Sequence, residues 1–357
     1  MKNVHIMPQS PYSLSFIDMI EKANLTSEEI FIVLTKSKNV INDNQNIIYF
    51  NYKNPKEYLI LRKIQCDNLF FHSINTVPII ISKMIKGNIN NKVWILWGYD
   101  LYKNLNINLY NKLTRDNTTI KENVNLVRKI EKYFIKKYVK RNIQFILNWN
   151  RFDIEIANKF FGKKFTFINF FYPLAIKKND DTVHDRKDIL NVMVGNSGDP
   201  SNNHFDIFYK LIKLNNNFNI ISFLSYGNLE YIENVKKTGV NLFGDRFTAF
   251  TDFLPREKYY DLINDIDILI LNHNRQQGVG NILPFINNKK TVVLNKEVST
   301  YNALNEMGVK IFNTDDFDID KKLSQKELDE NSNIIYEHFN DEKQLKNYLD
   351  FINTLNR

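Results

Sequence analysis

The chain has one cysteine, Cys66, in 357 residues. No internal disulfide can brace the fold, and the composition suits a reducing compartment. No segment reaches the roughly 18 uninterrupted apolar residues of a membrane span. The opening "MKNVHIMPQSPYS" lacks a long apolar core, so no signal peptide is expected. Glycine and alanine are few while isoleucine, asparagine and lysine abound, a bias of genome composition rather than of function. Internal repeats and low-complexity tracts are absent beyond that bias. Apolar residues make up 43% of the chain, as in ordinary globular proteins, and the length suits two domains.

Acidic charge is short in one half only. Residues 1–187 carry 30 Lys and Arg against 16 Asp and Glu, whereas residues 188–357 carry 18 against 24. A basic half joined to an acidic half points to an anionic partner for the first. Nucleic acid, an acidic membrane leaflet and a lipid diphosphate all fit.

Short apolar runs alternate with helical segments along both halves. "KNVHIM", "IFIVLT", "DNLFFHS", "NKVWIL" and "IQFILN" read as buried strands. "RFDIEIANKFFG" reads as a helix with Gly162 at its C-cap. The segment 119–141 reads as one long basic helix whose core stripe is Val124, Val127, Ile130, Phe134 and Tyr138. Its polar side carries Arg128, Lys129, Lys132, Lys136, Lys137, Lys140 and Arg141. That side suits solvent, an anionic membrane or nucleic acid, although the aromatic residues lie partly on the core stripe and do not favour base stacking. Beyond a charged stretch at 177–188 the alternation restarts and continues to about residue 312. This predicts two doubly wound parallel-sheet domains, 1–176 and 189–326, with a ligand in a cleft between them. A helix over 327–355 is expected to cross back to the first domain.

Two donor-rich turns stand out. "GNSGDPSNNH" (195–204) follows a strand and opens a helix, as does "NHNRQQGVGNI" (272–282). Gly195 and Gly198 permit positive φ, and Ser201 and Asn202 suit N-caps. Helix N-termini present free N–H groups that suit phosphate. Arg275 adds a fixed cation with a fork of donors, and Gln276, Gln277, Gly278 and Gly280 surround the next helix start. The first turn is neither a Rossmann G-x-G-x-x-G nor a P-loop, and a plain capped turn remains its simpler reading; the Gly-x-Gly of the second is a weak signal taken alone. In one parallel sheet, however, both turns share an edge, where they are expected to grip one diphosphate. Tyr226 and Gly227 form a further edge loop. The two Asp-Ile-Asp triplets, at 265–267 and 318–320, do not read as metal sites. Asp100 or His72, each at a strand end of the first half, is a candidate general base. An Asx-turn carboxylate and a hydrogen-bonded structural imidazole are the plain alternatives. His204, placed near a helix N-terminus, is expected to bind phosphate as an imidazolium.

Between the two turns, "LPREKYYDLINDID" resembles the stretch that precedes the donor turn in nucleotide-sugar glycosyltransferases of the two-domain GT-B type. "VGNSGDPSNNH", "NRQQGVGN" and "VVLNKE", with "VWILWGYDLY", resemble the TDP-N-acetylfucosamine:lipid II N-acetylfucosaminyltransferases, glycosyltransferase family 56. The likeness is densest from about Val192 to Phe317. It implies a GT-B fold and transfer of 4-acetamido-4,6-dideoxygalactose from a dTDP donor to a polyprenyl-diphosphate-linked saccharide. It also implies work at the cytoplasmic face of the inner membrane, without a metal or other cofactor and without nucleic acid. By the resemblance, Gly195, Asn196, Ser197, Asn203, His204, Arg275, Gln276, Gln277, Gly278, Gly280, Asn281 and Asn295 line the donor side. The Ile and Tyr in "WILWGYDLY" depart from the smaller residues expected there. A transferase using a UDP- or GDP-sugar for capsule or O-antigen is the alternative within the same fold.

Overall fold

The structure is a computed structural model that describes residues 2–36, 44–119, 126–179, 189–214, 218–254 and 256–355. The strands are β1 (Asn3–Pro8), β2 (Glu29–Thr35), β3 (Ile47–Asn51), β4 (Asn68–His72), β5 (Asn91–Ile95), β6 (Phe145–Asn148) and β7 (Thr166–Asn169) in the first half. β8 (Leu190–Val194), β9 (Phe218–Phe223), β10 (Phe247–Phe250), β11 (Ile268–Leu271), β12 (Thr291–Leu294) and β13 (Phe312–Asn313) follow. The helices are α1 (Pro11–Lys22), α2 (Tyr58–Leu61), α3 (Thr76–Ser82), α4 (Tyr99–Tyr102), α5 (Lys112–Asp116), α6 (Leu126–Asn142) and α7 (Arg151–Phe161). They continue with α8 (His204–Leu211), α9 (Leu229–Phe243), α10 (Arg256–Asn264), α11 (Val279–Asn287), α12 (Ser299–Glu306), α13 (Gln325–Phe339) and α14 (Asp341–Leu355).

These elements form two compact units. Unit 1 holds a parallel sheet in the order β3-β2-β1-β4-β5-β6-β7, and unit 2 a parallel sheet in the order β10-β9-β8-β11-β12-β13. Both run outward from a central pair and so have the doubly wound strand order. Such a sheet buries both faces, which is why every residue of β4 and β11, and all of β1 but Pro8, is buried rather than every second one. Phe16, Phe31, Phe70, Phe170 and Tyr348 fill the unit 1 core, and Phe205, Phe208, Tyr231 and Ile270 that of unit 2. In each sheet the strand order reverses at one place, between β1 and β4 and between β8 and β11. Ligands of open α/β sheets bind outside the carboxyl ends of the strands at that switch point.

The division differs from the sequence expectation in two places. Unit 1 comprises Met1–Asn106, Asn123–Ala175 and Phe339–Arg357, and unit 2 comprises Ile107–Glu122 and Ile176–His338. The segment from residue 107, expected in the first domain, belongs to the second because its backbone and α5 are tied to α8 and the β11–α11 turn. The expected helix 327–355 is two helices. Asn340 interrupts it, and its side chain caps α14 by accepting from the Lys343 N–H at 2.9 Å. α14 then delivers Tyr348, Phe351 and Ile352 to the unit 1 core. Most of the expected linker, residues 180–188, lies outside the described residues. So do Pro255 and residues 120–125, which include Val124 of the expected helix stripe.

α6 buries Ile135, Tyr138 and Val139. Val127 and Ile130, expected in the core, are 70% and 59% exposed, so the helix is turned about its axis by roughly a quarter turn at about 100° per residue. The residues facing outward include Leu126 and Tyr133, at 72% and 67% exposed.

Candidate active site

The β8–α8 turn is a packed object before it is a binding surface. Gly195 has φ +74°, and a Cβ there would lie 2.1 Å from His204 Nε2. Only glycine lets the turn close against the imidazole. Asp199, not Ser201 or Asn202, caps the short turn Pro200–Asn202, and Asn203 at φ +50° starts α8. Asn202 stitches the loop together. Its Oδ1 accepts from the Asn196 N–H at 2.8 Å, and its Nδ2 donates to Ser197 Oγ at 3.0 Å and to Asp199 O at 2.9 Å. Gly198 pairs with Gly227 in a parallel bridge and donates its N–H to Tyr226 O at 2.8 Å. The loop after β9 is thereby fixed to the same turn, with Tyr226 60% exposed.

The β11–α11 turn meets it directly. His273 Nε2 donates to Asn202 Oδ1 at 2.9 Å, Ser201 Oγ shares its one proton between Asp199 Oδ1 at 2.6 Å and Gln277 Oε1 at 3.0 Å, and Gln277 Nε2 reaches Asn196 Oδ1 at 3.5 Å. These strands flank the switch point of the unit 2 sheet. The two turns expected to share one ligand therefore share one surface. Gly278, at φ +74°, is the N-cap of α11 and brings no side chain to the cap. The Val279 and Gly280 N–H groups thus have no acceptor within their own helix. Asn196, Arg275, Gln277, Gly278, Gly280 and Asn281 are half-buried and line this edge. Asn295 lies along it through its Nδ2, which donates to Asn274 Oδ1 at 3.0 Å. Asn281 Oδ1 accepts from the Tyr259 hydroxyl at 3.2 Å. Arg275 donates through one guanidinium nitrogen to Gln276 O at 3.1 Å. Gln276 is buried, with no hydrogen-bond partner for its Oε1.

Two expected ligand groups are committed elsewhere. Asn203 is fully buried. Its Oδ1 accepts from the Asn111 N–H at 2.8 Å, while its Nδ2 donates to Asn272 O at 3.0 Å and reaches Leu109 O at 3.2 Å. It ties the segment before α5 onto the turns instead of facing a donor, and Asn274 does the same through Asn108 O and Asn111 Oδ1. His204 is fully buried, and burial pushes its pKa down to about 3. It is a neutral imidazole bonded through Nδ1 to the Tyr231 hydroxyl at 2.9 Å. An imidazolium gripping phosphate does not fit that position. Ser197 and Gly195 are buried as well, so their part in the site is backbone and shape. A polar hollow of about 610 Å³ between α5 and α9, with Arg115, Glu230 and Lys237 on its walls, contains none of the expected residues.

In unit 1 neither candidate base is open to an acceptor. Asp100 is 1% exposed, and both of its oxygens are engaged. Oδ2 accepts from Trp94 Nε1 at 2.6 Å and from the Ile74 N–H at 3.0 Å, and Oδ1 accepts from the Trp97 N–H at 3.1 Å. Burial raises its pKa while these donors pull the other way. It is the Asx-type carboxylate that holds the β5–α4 turn. His72 is fully buried, and burial, with His5 beside it, holds its pKa well below the ordinary value. Its Nε2 lies 2.9 Å from His5 Nδ1, and its Nδ1 lies 2.5 Å from the Tyr172 hydroxyl.

With the geometry in place, comparison with known proteins identifies the family. The model of the 4-alpha-L-fucosyltransferase glycosyl transferase group 56 matches residues 13–334. The chain belongs to glycosyl transferase group 56. It is a glycosyltransferase with the GT-B fold, and solved structures agree on that fold. Anabaena HepE, in complex with UDP and glucose, matches at TM-score 0.67 and 10% identity over 99% of this chain and 100% of that one. A glycosyltransferase from Rickettsia africae matches at 0.65 and 12% over 100% and 99%. The lipopolysaccharide outer core galactosyltransferase WaaB matches at 0.63 and 12% over 99% of both chains.

Sequence reasoning missed His273, Asn274 and the residues 107–111 as parts of the transferase's unit 2 edge. His273 had a visible signal, since it is the second residue of the "NHNRQQG" run at a strand end. The segment before α5 had none, because it reaches the edge only through folding.

Proposed function

We propose that this group 56 transferase moves 4-acetamido-4,6-dideoxygalactose from a dTDP donor to a polyprenyl-diphosphate-linked saccharide, and does so without a metal ion. The observation that carries the reading is the union of the two donor-rich turns at the unit 2 switch point, with Ser201 and Gln277 joined at 3.0 Å. A diphosphate laid there meets the N–H groups at the start of α11 and the Arg275 guanidinium. These supply the positive charge on which the nucleoside diphosphate leaves, the part a divalent cation plays elsewhere. The family is one of 4-alpha-L-fucosyltransferases, and the proposed sugar shares the 6-deoxygalactose skeleton. A lipid-linked acceptor calls for a membrane contact at the cytoplasmic face. The outward side of α6, with Leu126, Ile130 and Tyr133 among Lys129, Lys136 and Lys137, supports one of the in-plane kind. Among the described residues no helix is long and apolar enough to cross a membrane.

A uridine diphosphate donor is the second reading. The likeness to HepE, whose structures hold UDP and UDP-glucose, favours it. A thermal-shift panel of dTDP-, UDP- and GDP-sugars separates the two, because a ligand that binds the folded state raises the melting temperature. The proposal expects the largest shift with the dTDP-sugar. Arg275→Ala is expected to lower kcat by about 10²–10³-fold while weakening donor binding far less. Turnover near that of the wild type would remove Arg275 from the leaving-group role.

A further inference from the structure

Helix α6 changes character along its inward side. Ile135, Tyr138 and Val139 face the unit 1 core. One and two turns earlier the same side carries Arg128, Glu131 and Lys132, at spacings of three, four and seven residues from those core positions. The reason is where the helix begins. α6 leads into β6, and at its end Asn142 Oδ1 accepts from Lys92 Nζ at 3.4 Å, at the start of β5. The end of α6 therefore lies at the amino edge of the sheet, and its start lies at the carboxyl edge. That is the edge at which open α/β sheets take their ligands.

Three elements of unit 1 meet there. Thr76 opens α3, and its hydroxyl donates to Glu131 Oε1 at 2.7 Å. Tyr99 opens α4 and is exposed, and Lys103, just after α4, holds its Nζ 5.6 Å from the centre of the Tyr99 ring. Arg128 and Lys132 come from α6. Burial, and then repulsion from Arg128, holds the Lys132 ammonium below its ordinary pKa. Lys103 is lowered chiefly by burial and also by Arg128, against the pull of Asp100 and Glu131. Of those two carboxylates, Asp100 is buried and spends its oxygens on Trp94, Ile74 and Trp97, whereas Glu131 is exposed.

Like charges four residues apart destabilise a helix, and a third cation on the same side adds to the repulsion. An anion placed among them relieves it. Three cations against one exposed carboxylate leave a surplus of two positive charges. A diphosphate joined to a lipid at one end and a sugar at the other carries two negative charges at neutral pH. Arg128 suits two oxygens of one phosphate with its fork of donors, and Lys103 and Lys132 act as point charges. Arg128 is exposed, and both lysines are half-buried, so the cluster is open to a ligand.

We propose that Lys103, Arg128 and Lys132 form an anion site on unit 1 that holds the diphosphate of the acceptor, a role that rests on the lipid-linked acceptor proposed above. The site is distinct from the membrane-facing stripe of the same helix, because Leu126, Ile130 and Tyr133 lie on the opposite side of α6.

The test uses farnesyl diphosphate, a short soluble prenyl diphosphate, titrated against the full chain with dTDP at saturation. Arg128→Gln with Lys103→Gln is expected to weaken its binding about tenfold or more. Lys140→Gln with Arg141→Gln removes the same charge from the other end of α6 and is expected to change it by less than about twofold. Equal weakening in the two variants, or none in the first, would overturn the site. Inorganic pyrophosphate is expected to displace the probe, since the diphosphate is the group held; failure to displace it would show that the prenyl chain alone is bound and would overturn the site. No binding under saturating dTDP, with binding in its absence, would place the probe on the donor turns and overturn it as well. In transfer assays the first variant is expected to raise the acceptor KM about tenfold, with kcat and the donor KM near wild type. An unchanged acceptor KM with robust transfer would overturn the role and leave the transferase reading intact. If the wild type transfers to no polyprenyl-diphosphate-linked saccharide, the acceptor reading fails, and the titration still decides whether these cations bind a diphosphate.

Discussion

Gly195 and His204 show how one residue pair shapes the donor edge. The imidazole occupies the space that a side chain at 195 would take, and it is held there neutral by burial and by Tyr231. This has a pH consequence with a definite sign. The folded pKa is about 3 against an ordinary 6.5, so below pH 6.5 the unfolded chain binds a proton that the folded protein refuses. Stability is full above pH 6.5 and falls as pH drops toward 3, by about 1.4 kcal/mol per pH unit. His72 and His273, also held low by burial, act in the same direction, while Asp100, held high, acts oppositely nearer its ordinary 3.8. Urea titrations at pH 7.5 and 5.5 are expected to show a stability loss that is smaller in His204→Gln by about 1 kcal/mol. Equal losses in the two proteins would show that His204 takes up a proton while folded. The sequence made the glycine turns visible because glycine beside asparagine at a strand end has few other uses. It did not show that the neighbouring histidine and Asn203 face inward, since "NNH" reads the same whether it binds a ligand or the protein itself.

At the level of elements, the strands that escaped sequence reading were the edge strands of unit 1. β3 and β7 bound the seven-stranded sheet and are short; β3 buries only its last two residues and β7 is largely exposed, so neither stands out in the sequence as a fully buried strand. Helix α6 was legible as a helix but not in its rotation. Its sequence holds two apolar stripes, and only packing decides that Ile135, Tyr138 and Val139 face the core. The outward stripe gives a clean test, because exposed side chains contribute little to folding. Leu126→Asp with Ile130→Asp is expected to leave the melting temperature within about 2 °C of wild type. Binding to vesicles containing anionic lipid is expected to fall about tenfold or more, from the lost burial of two aliphatic side chains. Unchanged vesicle binding would remove α6 from any membrane contact.

For the whole molecule, the strand alternation announced two doubly wound units, and both are present with the central strand pair of each beside its polar cluster. The chain's path between the units was not legible. A stretch before α5 leaves unit 1 to bind the unit 2 turns through Asn203 and Asn274, and α14 returns to complete the unit 1 core. Such exchanges depend on hydrogen bonds between residues about 90 or more positions apart, and no local pattern records them. The charge split between the halves follows the same division, with the basic half supplying most of unit 1 and the acidic half most of unit 2. The account's central claim is that the two turns of unit 2 hold one diphosphate. The most direct measurement is a titration with dTDP followed by backbone amide NMR. Amides of 195–198 and of 278–280 are expected to shift together and to saturate with a single Kd. A response confined to one turn, or two turns saturating with different constants, would contradict the shared site.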